Sequence, residues 1–259
     1  MRYDPQYITN DPGDNERERC SMATFVLVHG GGHGGWCYQK VARRLRAAGH
    51  EVHCPTLTGL GERAHLLNAD IDLDTHIQDV VALLTFEGLT DIILVGHSYG
   101  GMVITGVADR AAERIHELVY LDAAHPKDGE SLEIVAPAQM EPTRAMGRTV
   151  DGIELVMWPF PGMAGFFGIT DPADAAWTEA RLTPHPWKCF GQPLRLENGD
   201  AAFRLPRTNI NCTHALQNSP DEARARQLEG QRNFEIDTGH DLMITEPEAV
   251  ADMLLEVAG

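Results

Sequence analysis

A single serine lies between two glycines in the stretch LVGHSYGGM, residues 94–102, directly after the apolar run DIILV. The pattern G-x-S-x-G at the end of a strand and the start of a helix is typical of a tight turn that presents a serine hydroxyl for nucleophilic attack. Gly96 and Gly100 are expected there because neighbouring backbone leaves no room for a Cβ atom, and the serine is expected in a strained conformation. Ser98 is therefore the candidate nucleophile.

A serine hydroxyl is a weak nucleophile and needs a base. Among the 12 histidines, the one that the order of elements favours is His240, in DTGHDLMITEP, directly after the last predicted strand. His29 and His33 lie in a glycine-rich loop and are expected to brace it, and His97 flanks the serine facing away from it. The sequence thus predicts His240 as the general base.

The negative charge that develops on a carbonyl oxygen during attack needs backbone donors. One is predicted to be the N–H of Tyr99, directly after the serine, and the other the N–H of Gly31 in the loop HGGGHGGW, residues 29–36. A phosphate-binding loop is the alternative interpretation of these glycines, but the Lys-Ser/Thr ending of such loops is missing.

Alternating elements surround these residues. Helical spacing or capping signals predict helices at 38–49, 75–88, about 99–110, 219–230 and 245–259, and apolar runs predict strands at 23–29, 51–55, 91–96, 115–122, 208–212 and 233–237. This order predicts an α/β fold with a six-stranded, mostly parallel sheet and helices on both faces.

The rhythm stops between the fourth and fifth strands. Residues 1–21 are predicted to form a loose tail, residues 22–124 and 207–259 the core, and residues 125–206 an inserted cap of mostly helical or irregular structure. Met22, directly before the first strand, is an alternative start of translation to Met1. An apolar cleft is expected at the cap, with substrate contacts predicted from five aromatic residues: Trp36, Trp158, Phe160, Phe166 and Phe167.

The composition, 43% apolar and 23% charged, is that of an ordinary globular domain. The net charge of −17 argues against nucleic acid as a partner and favours a small neutral hydrophobic substrate. No apolar run is long enough for a membrane span, and no secretory signal is recognisable, so a cytoplasmic location is expected without membrane association. The five scattered cysteines fit neither a disulfide framework nor a zinc pair. No metal and no organic cofactor are expected, and a homodimer stays open.

Three motifs, HGGGHGGW, GHSYGG and TGHDLMITEP, together resemble the α/β-hydrolase superfamily over roughly residues 23–257. Within it, the chain is similar to the branch of plant hydroxynitrile lyases and methylesterases and their bacterial esterase relatives. Residues 57–81, LTGLGERAHLLNADIDLDTHIQDVV, further resemble bacterial members that include a benzimidazole-carbamate hydrolase. The resemblance implies the α/β-hydrolase fold and a catalytic triad.

The third member of that triad departs from the common pattern. In many relatives the acid follows the strand that here is TNINC, but the next residues, THAL, include no carboxylate. Asp221 and Glu222 lie at a predicted helix start, where capping explains them. The end of the fourth strand, LVYLDAAHP, offers Asp122 at the same edge of the sheet, and Asp122 is the predicted acid that orients His240.

These residues predict a serine hydrolase that cleaves a small aromatic or hydrophobic carboxylic ester or carbamate through an acyl-enzyme. Ester, carbamate and amide substrates stay open at this point. A lyase of the hydroxynitrile type is one alternative, but the lysine expected beside the catalytic histidine is replaced by Asp241. A small-ligand receptor built on the same fold is the other.

Overall fold

A computed structural model describes residues 22–259, so the predicted tail at 1–21 lies outside the described residues. The strands of the described region are β1 (Thr24–Val28), β2 (Glu51–His53), β3 (Ile92–His97), β4 (Ile115–Leu121), β5 (Arg148–Val150), β6 (Ile153–Val156), β7 (His185–Pro186), β8 (Arg207–Cys212) and β9 (Arg232–Ile236).

Helices connect these strands, and short 3-10 turns lie at 35–38, 61–66, 112–114 and 163–167. The α-helices of the described region are α1 (Gln39–Ala47), α2 (Leu73–Phe86), α3 (Gly100–Ala111), α4 (Leu132–Val135), α5 (Pro137–Ala145), α6 (Pro172–Glu179), α7 (Trp187–Gly191), α8 (Ala201–Arg204), α9 (Thr213–Asn218), α10 (Asp221–Gln227), α11 (Leu242–Thr245) and α12 (Pro247–Ala258).

The main sheet has the strand order β2-β1-β3-β4-β8-β9, and every neighbouring pair is parallel. The predicted six-stranded sheet is confirmed, and all six strands are parallel. Because parallel strands end at one edge, the loops after β1, β3, β4 and β9 meet there. That edge is where the sequence places its candidate site residues.

Alternation along the strands sends apolar side chains to both faces of the sheet, as a doubly covered parallel sheet requires. Val26 and Val28 of β1 belong to a buried cluster with α2 and α3, whereas Phe25 and Leu27 belong to a second cluster with α1 and α12. The helices on both faces are thus explained by two separate layers of core. Within residues 22–259, no helix is both long and apolar enough to cross a bilayer.

The insertion, residues 125–206, contains a small antiparallel sheet, β5-β6-β7, that the sequence reading did not predict. Its hairpin between β5 and β6 turns at Asp151 and Gly152, which have φ of 50° and 80°. Two consecutive positive φ values are typical of the two-residue hairpin turn that Asp-Gly favours. The prediction of mostly helical or irregular structure for the insertion did not include this hairpin.

Candidate active site

The turn after β3 holds Ser98 in the left-handed region, with φ of 55°. A Cβ atom on Gly96 would lie 2.6 Å from the carbonyl oxygen of Gly100, and one on Gly100 would lie 2.7 Å from the carbonyl oxygen of Val28. Both distances are shorter than real Cβ contacts, so the turn tolerates only glycine at these positions. The result is a serine raised above the carboxyl edge of the sheet at the start of α3.

Three predicted residues from three different loops meet at this point. The Oγ atom of Ser98 lies 2.9 Å from Nε2 of His240, and Nδ1 of His240 lies 2.6 Å from Oδ2 of Asp122. The other carboxylate oxygen of Asp122 accepts a hydrogen bond from the N–H of Cys212, at 3.1 Å. Because the carboxylate can only accept, it fixes the proton of neutral His240 on Nδ1 and leaves Nε2 free to accept from the serine.

Burial and charge act in opposite directions on this histidine. Burial lowers the pKa of His240, but the hydrogen bond and charge of Asp122 outweigh it and raise the pKa above its usual value. Burial likewise raises the pKa of Asp122, but the bond from His240 leaves it below the usual range. The His240 side chain keeps 35% of its surface exposed, against 5% for Asp122, so a substrate or water can reach the imidazole.

The glycine loop after β1 lies directly against the serine, because a Cβ atom on Gly30 would be 2.8 Å from Cβ of Ser98. Within residues 22–259, the N–H groups of Gly31 and Tyr99 have no acceptor. The Tyr99 ring is buried, and its hydroxyl bonds Nδ1 of His76 at 2.9 Å, which fixes the start of α3. These free donors suit the predicted stabilisation of an oxyanion.

Two side chains from the insertion that the sequence reading missed cover Gly31. A Cβ atom at that glycine would lie 2.8 Å from Sδ of Met157 and 2.8 Å from Cζ of Phe190. Met157 has a φ of 54°, which is rare for a residue with a side chain. No spacing in the sequence indicates this contact, since the pairs are more than 120 residues apart.

A second histidine–carboxylate pair lies behind the first. Nε2 of His33 lies 2.9 Å from Oδ2 of Asp241, and Nδ1 of His33 lies 2.7 Å from the carbonyl oxygen of Gly31. Both partners are acceptors, so both ring nitrogens must carry protons and His33 is an imidazolium. Burial opposes this charge, but Asp241 outweighs it and raises the pKa of His33. The pair ties the glycine loop to the loop of His240.

The insertion also contacts the His240 loop through backbone. The N–H of Asp241 donates to the carbonyl oxygen of Phe167 at 3.0 Å. A Cβ atom on Gly168 would lie 2.4 Å from Cα of Gly239, so the two chains touch there without intervening side chains. Phe167, a predicted substrate contact, packs its ring edge-on to His33 with centroids 5.2 Å apart. Its role as a substrate contact stays a prediction.

The other predicted substrate aromatics are distributed around the insertion and the glycine loop. Trp36 stacks on the ring of His33, with centroids 5.3 Å apart. The Trp158 indole donates to a backbone carbonyl at 3.0 Å, and Phe160 and Phe166 form an exposed edge-to-face pair with centroids 5.7 Å apart. Their contacts with substrate likewise stay predictions.

One buried group resembles a metal site in composition, since ligand atoms of His76, His185 and Cys189 lie within 4.8 Å of one another. The N–H of Gly32 donates to Nδ1 of His185, so the proton of this neutral ring sits on the other nitrogen. Nδ1 of His76 is bonded to Tyr99, and burial raises the pKa of the Cys189 thiol far above its usual range. His76 and His185 thus support Tyr99 and the glycine loop through hydrogen bonds, whereas Nε2 of His185 has no partner within residues 22–259. The expected absence of a metal stays a prediction.

Comparison with known proteins places these features in a family context. A model of the Alpha/beta hydrolase family matches residues 25–253. The chain is 41% identical to the carbendazim hydrolyzing esterase of Nocardioides sp. (strain SG-4G) over 244 residues, which cover 90% of this chain and 98% of the relative.

Two solved structures share the fold of this chain over nearly their whole length. An extracellular alpha/beta-hydrolase from a Paenibacillus species, described as sharing structural and functional homology with tobacco salicylic acid binding protein 2, superposes with a TM-score of 0.75 at 26% identity and covers 90% of this chain and 98% of its own. The methylesterase MES16 of Arabidopsis superposes with a TM-score of 0.72 at 25% identity and covers 91% and 98%.

Proposed function

The chain belongs to the alpha/beta hydrolase family and is a hydrolase, and from that premise we propose a serine mechanism acting on a small aromatic or hydrophobic carboxylic ester or carbamate. The observation that carries the proposal is the continuous chain of hydrogen bonds from Ser98 through His240 to Asp122, at 2.9 and 2.6 Å. A nucleophile, its base and the group that orients the base are thereby in reach of one another.

In the first half of the reaction, Oγ of Ser98 attacks the carbonyl carbon while Nε2 of His240 takes its proton. Asp122 stabilises the imidazolium that forms, because its carboxylate stays ionised beside it. The N–H groups of Gly31 and Tyr99 receive the charge on the carbonyl oxygen; loss of one such donor costs about 10²–10³ in rate. His240 then gives its proton to the leaving oxygen or nitrogen, and the acyl group stays on Ser98.

In the second half, His240 accepts a proton from a water molecule, which attacks the acyl-enzyme, and then returns the proton to Oγ of Ser98 as the acid leaves. With an ester the products are an alcohol and a carboxylic acid. With a methyl carbamate attacked at its carbonyl, they are methanol and a carbamic acid, which loses carbon dioxide to leave an amine. The 35% exposure of the imidazole leaves a path for this water.

The substrate class rests on similarity and charge together. The relative that is 41% identical over nearly its whole length is named for hydrolysis of carbendazim, a benzimidazole carbamate. The net charge of −17 opposes anionic substrates. The aromatic side chains of the insertion, with Met157 and Phe190 against Gly31, favour a flat apolar group. A methyl carbamate or methyl ester on an aromatic ring fits all of these conditions.

The position after His240 argues against the lyase alternative. Cyanide release would need a cation beside the catalytic histidine, whereas Asp241 is fully buried and bonded to His33. Incubation with an aromatic cyanohydrin, followed by cyanide detection, tests this point directly; cyanide release at a rate comparable to ester hydrolysis would favour the lyase.

The experiment that tests the proposed mechanism combines turnover with trapping. Purified protein is assayed on aryl esters, aromatic methyl esters and aromatic methyl carbamates, and a fluorophosphonate probe is located by mass spectrometry. We expect the probe on Ser98 and a loss of roughly 10⁵–10⁶ in kcat for Ser98→Ala. Ser219→Ala is the matched control, because that hydroxyl bonds only a helix carbonyl.

Retention of wild-type turnover by Ser98→Ala would remove the mechanism. A receptor instead of an enzyme would show probe labelling with turnover slower than ligand dissociation. Hydrolysis of esters but not of carbamates would leave the mechanism standing and narrow the substrate class.

A further inference from the structure

Arg207 begins β8 with only 8% of its surface exposed, and its guanidinium has no hydrogen bond or ion pair within residues 22–259. The group lies over the rings of Tyr120 and Phe203, at 5.1 and 5.8 Å from their centroids. Arginine keeps its charge at any pH a protein survives. Ring contacts of this kind compensate only part of what an ion loses when it is taken out of water.

Neighbouring arginines show what a paired cation looks like in this region. Arg226 on the same cleft holds Glu130 with two bonds, at 2.7 and 3.1 Å, and Glu222 with a third at 2.9 Å. Its charge is therefore neutralised inside the protein. Arg207 differs because it holds no such carboxylate among the described residues, so its guanidinium is open to a ligand from the cleft that it lines.

The guanidinium lies at a cleft of about 340 Å³, whose lining also contains Tyr120, His125, Phe203 and Lys127. The rings of Tyr120 and His125 are stacked with centroids 4.3 Å apart and cover one another, so the exposed ring of the cleft is Phe203, at 42% exposure. The volume lies in the range of small-ligand pockets. An exposed aromatic ring beside the guanidinium is suited to a molecule with an apolar body and a single negative charge.

This cleft is distinct from the proposed active site. Its lining contains neither Ser98 nor His240, and Arg207 pairs in the sheet with Leu118, four residues before Asp122 on β4. Strands rise about 3.3 Å per residue, so the backbone of Arg207 is roughly 13 Å from the level of Asp122, while His125 and Lys127, which follow Asp122, line another part of the cleft. Binding there would not need the chemistry of the serine.

We propose that the cleft binds a small organic monocarboxylate, with its carboxylate on Arg207 and its aromatic or aliphatic body against the exposed ring of Phe203. A guanidinium matches a carboxylate with two parallel hydrogen bonds. A dianion is disfavoured, because Glu229 also lines the cleft and the whole chain is strongly negative. The inference does not depend on the proposed function.

Calorimetric titration of the full chain with benzoate tests the site, with benzamide as the uncharged control of the same shape. We expect one benzoate per chain, no benzamide, and at least about tenfold weaker benzoate binding for Arg207→Gln, because charge-assisted bonds are lost. Arg204→Gln is the matched control, since that arginine is exposed and paired with Asp200. It should bind benzoate as the wild type does.

Two further measurements keep the test decisive. Phe203→Ala changes a side chain that is 42% exposed and should fold normally; weaker benzoate binding supports the site even if Arg207→Gln does not fold. Equal binding of benzoate by wild type, Arg207→Gln and Phe203→Ala would overturn the proposal, as would no binding at all. Equal affinity for inorganic phosphate would overturn the assignment to a carboxylate.

Discussion

Two histidine–carboxylate pairs with hydrogen bonds of similar length lie close together at the carboxyl edge of the sheet, but they differ in the chemistry that they allow. The bond from His240 to Asp122 is 2.6 Å and that from His33 to Asp241 is 2.9 Å. The difference lies at the other ring nitrogen. His240 faces the Ser98 hydroxyl, which can donate or accept, whereas His33 faces a carbonyl oxygen, which can only accept.

The partner atom thus decides whether the proton can move. His240 can take a proton at Nε2 and release it again, and its side chain is 35% exposed. His33 holds protons on both nitrogens, and its side chain is 1% exposed. A histidine bonded to an aspartate is therefore a candidate base only when its second ring nitrogen contacts a group that can give up a proton. Four predictions test this contrast.

The largest effect is expected for His240→Gln. Loss of the base should lower kcat by roughly 10⁴–10⁶, with a smaller change in the free energy of unfolding, because the Gln amide can still donate a hydrogen bond to Asp122. Steady-state kinetics and chemical denaturation measure the two effects. His214→Gln, at an exposed histidine of α9, is the control and should change neither. Substantial residual turnover in His240→Gln would assign the base elsewhere.

Asp122→Asn should follow with a loss of roughly 10⁴ in kcat, because the amide can present an N–H to Nδ1 and favour the wrong tautomer of His240. The exposed Asp237→Asn is the matched control. Wild-type kcat in Asp122→Asn would show that another acid orients the histidine.

Asp241→Asn should lower stability more than activity, which is the reverse of the result expected for Asp122→Asn. An unpaired imidazolium would be left buried, which costs about 3–5 kcal/mol in the free energy of unfolding. The effect on kcat should be smaller than that of Asp122→Asn, because Asp241 acts on the position of the loops. The double variant His33→Gln/Asp241→Asn removes both charges and should regain part of the lost stability. A large loss of kcat without loss of stability would erase the contrast.

The smallest expected effect is a difference in pH dependence between the two histidine–carboxylate pairs. The proposed base is neutral His240, whose pKa is raised, so kcat/KM should fall with decreasing pH through a midpoint above about 6.5. For His33 the folded-state pKa is also raised, so its contribution to stability is present below about 6.5 and lost as pH rises through the folded value.

The pKa of Asp241 sets the lower pH limit of the range in which the ion pair with His33 contributes to stability. Burial raises its pKa, but His33 outweighs burial and leaves the pKa below the usual range. Its contribution is therefore present above about pH 4 and lost as pH falls through the folded value. The difference in unfolding free energy between wild type and the double variant should peak between about pH 4 and 6.5. A difference that does not vary with pH would contradict the ion pair.

Local signals in the sequence were enough for the sheet and for the residues that meet at its edge. Ser98 was predicted from the glycines that its turn requires, and His240 and Asp122 from their positions after strands whose carboxyl ends coincide. The pair of His33 and Asp241 could not be predicted in this way, because no motif in the sequence indicates that these two side chains are partners, and their contact depends on the register of the whole sheet.

Other features were present in the sequence but were outweighed or overlooked. The Asp151-Gly152 turn is a hairpin signal that was overlooked in a stretch read as irregular. The helix predicted from Ser219 onward begins only at Asp221, and the Ser219 hydroxyl instead donates to the carbonyl oxygen of Ala215 in the preceding helix α9. Here a hydrogen bond to the end of one helix took the place of a cap on the next.

The backbone contact between Gly168 and Gly239, with the bond from Asp241 to Phe167, has a consequence for selectivity. A molecule that fits poorly and displaces the turn at 163–167 outward would also move the loop that carries His240. The distance from Nε2 of His240 to Oγ of Ser98 would then increase. Poor substrates would then be admitted but converted slowly. Discrimination between substrates would then appear as differences in kcat, while KM would stay nearly constant across a series of substrates.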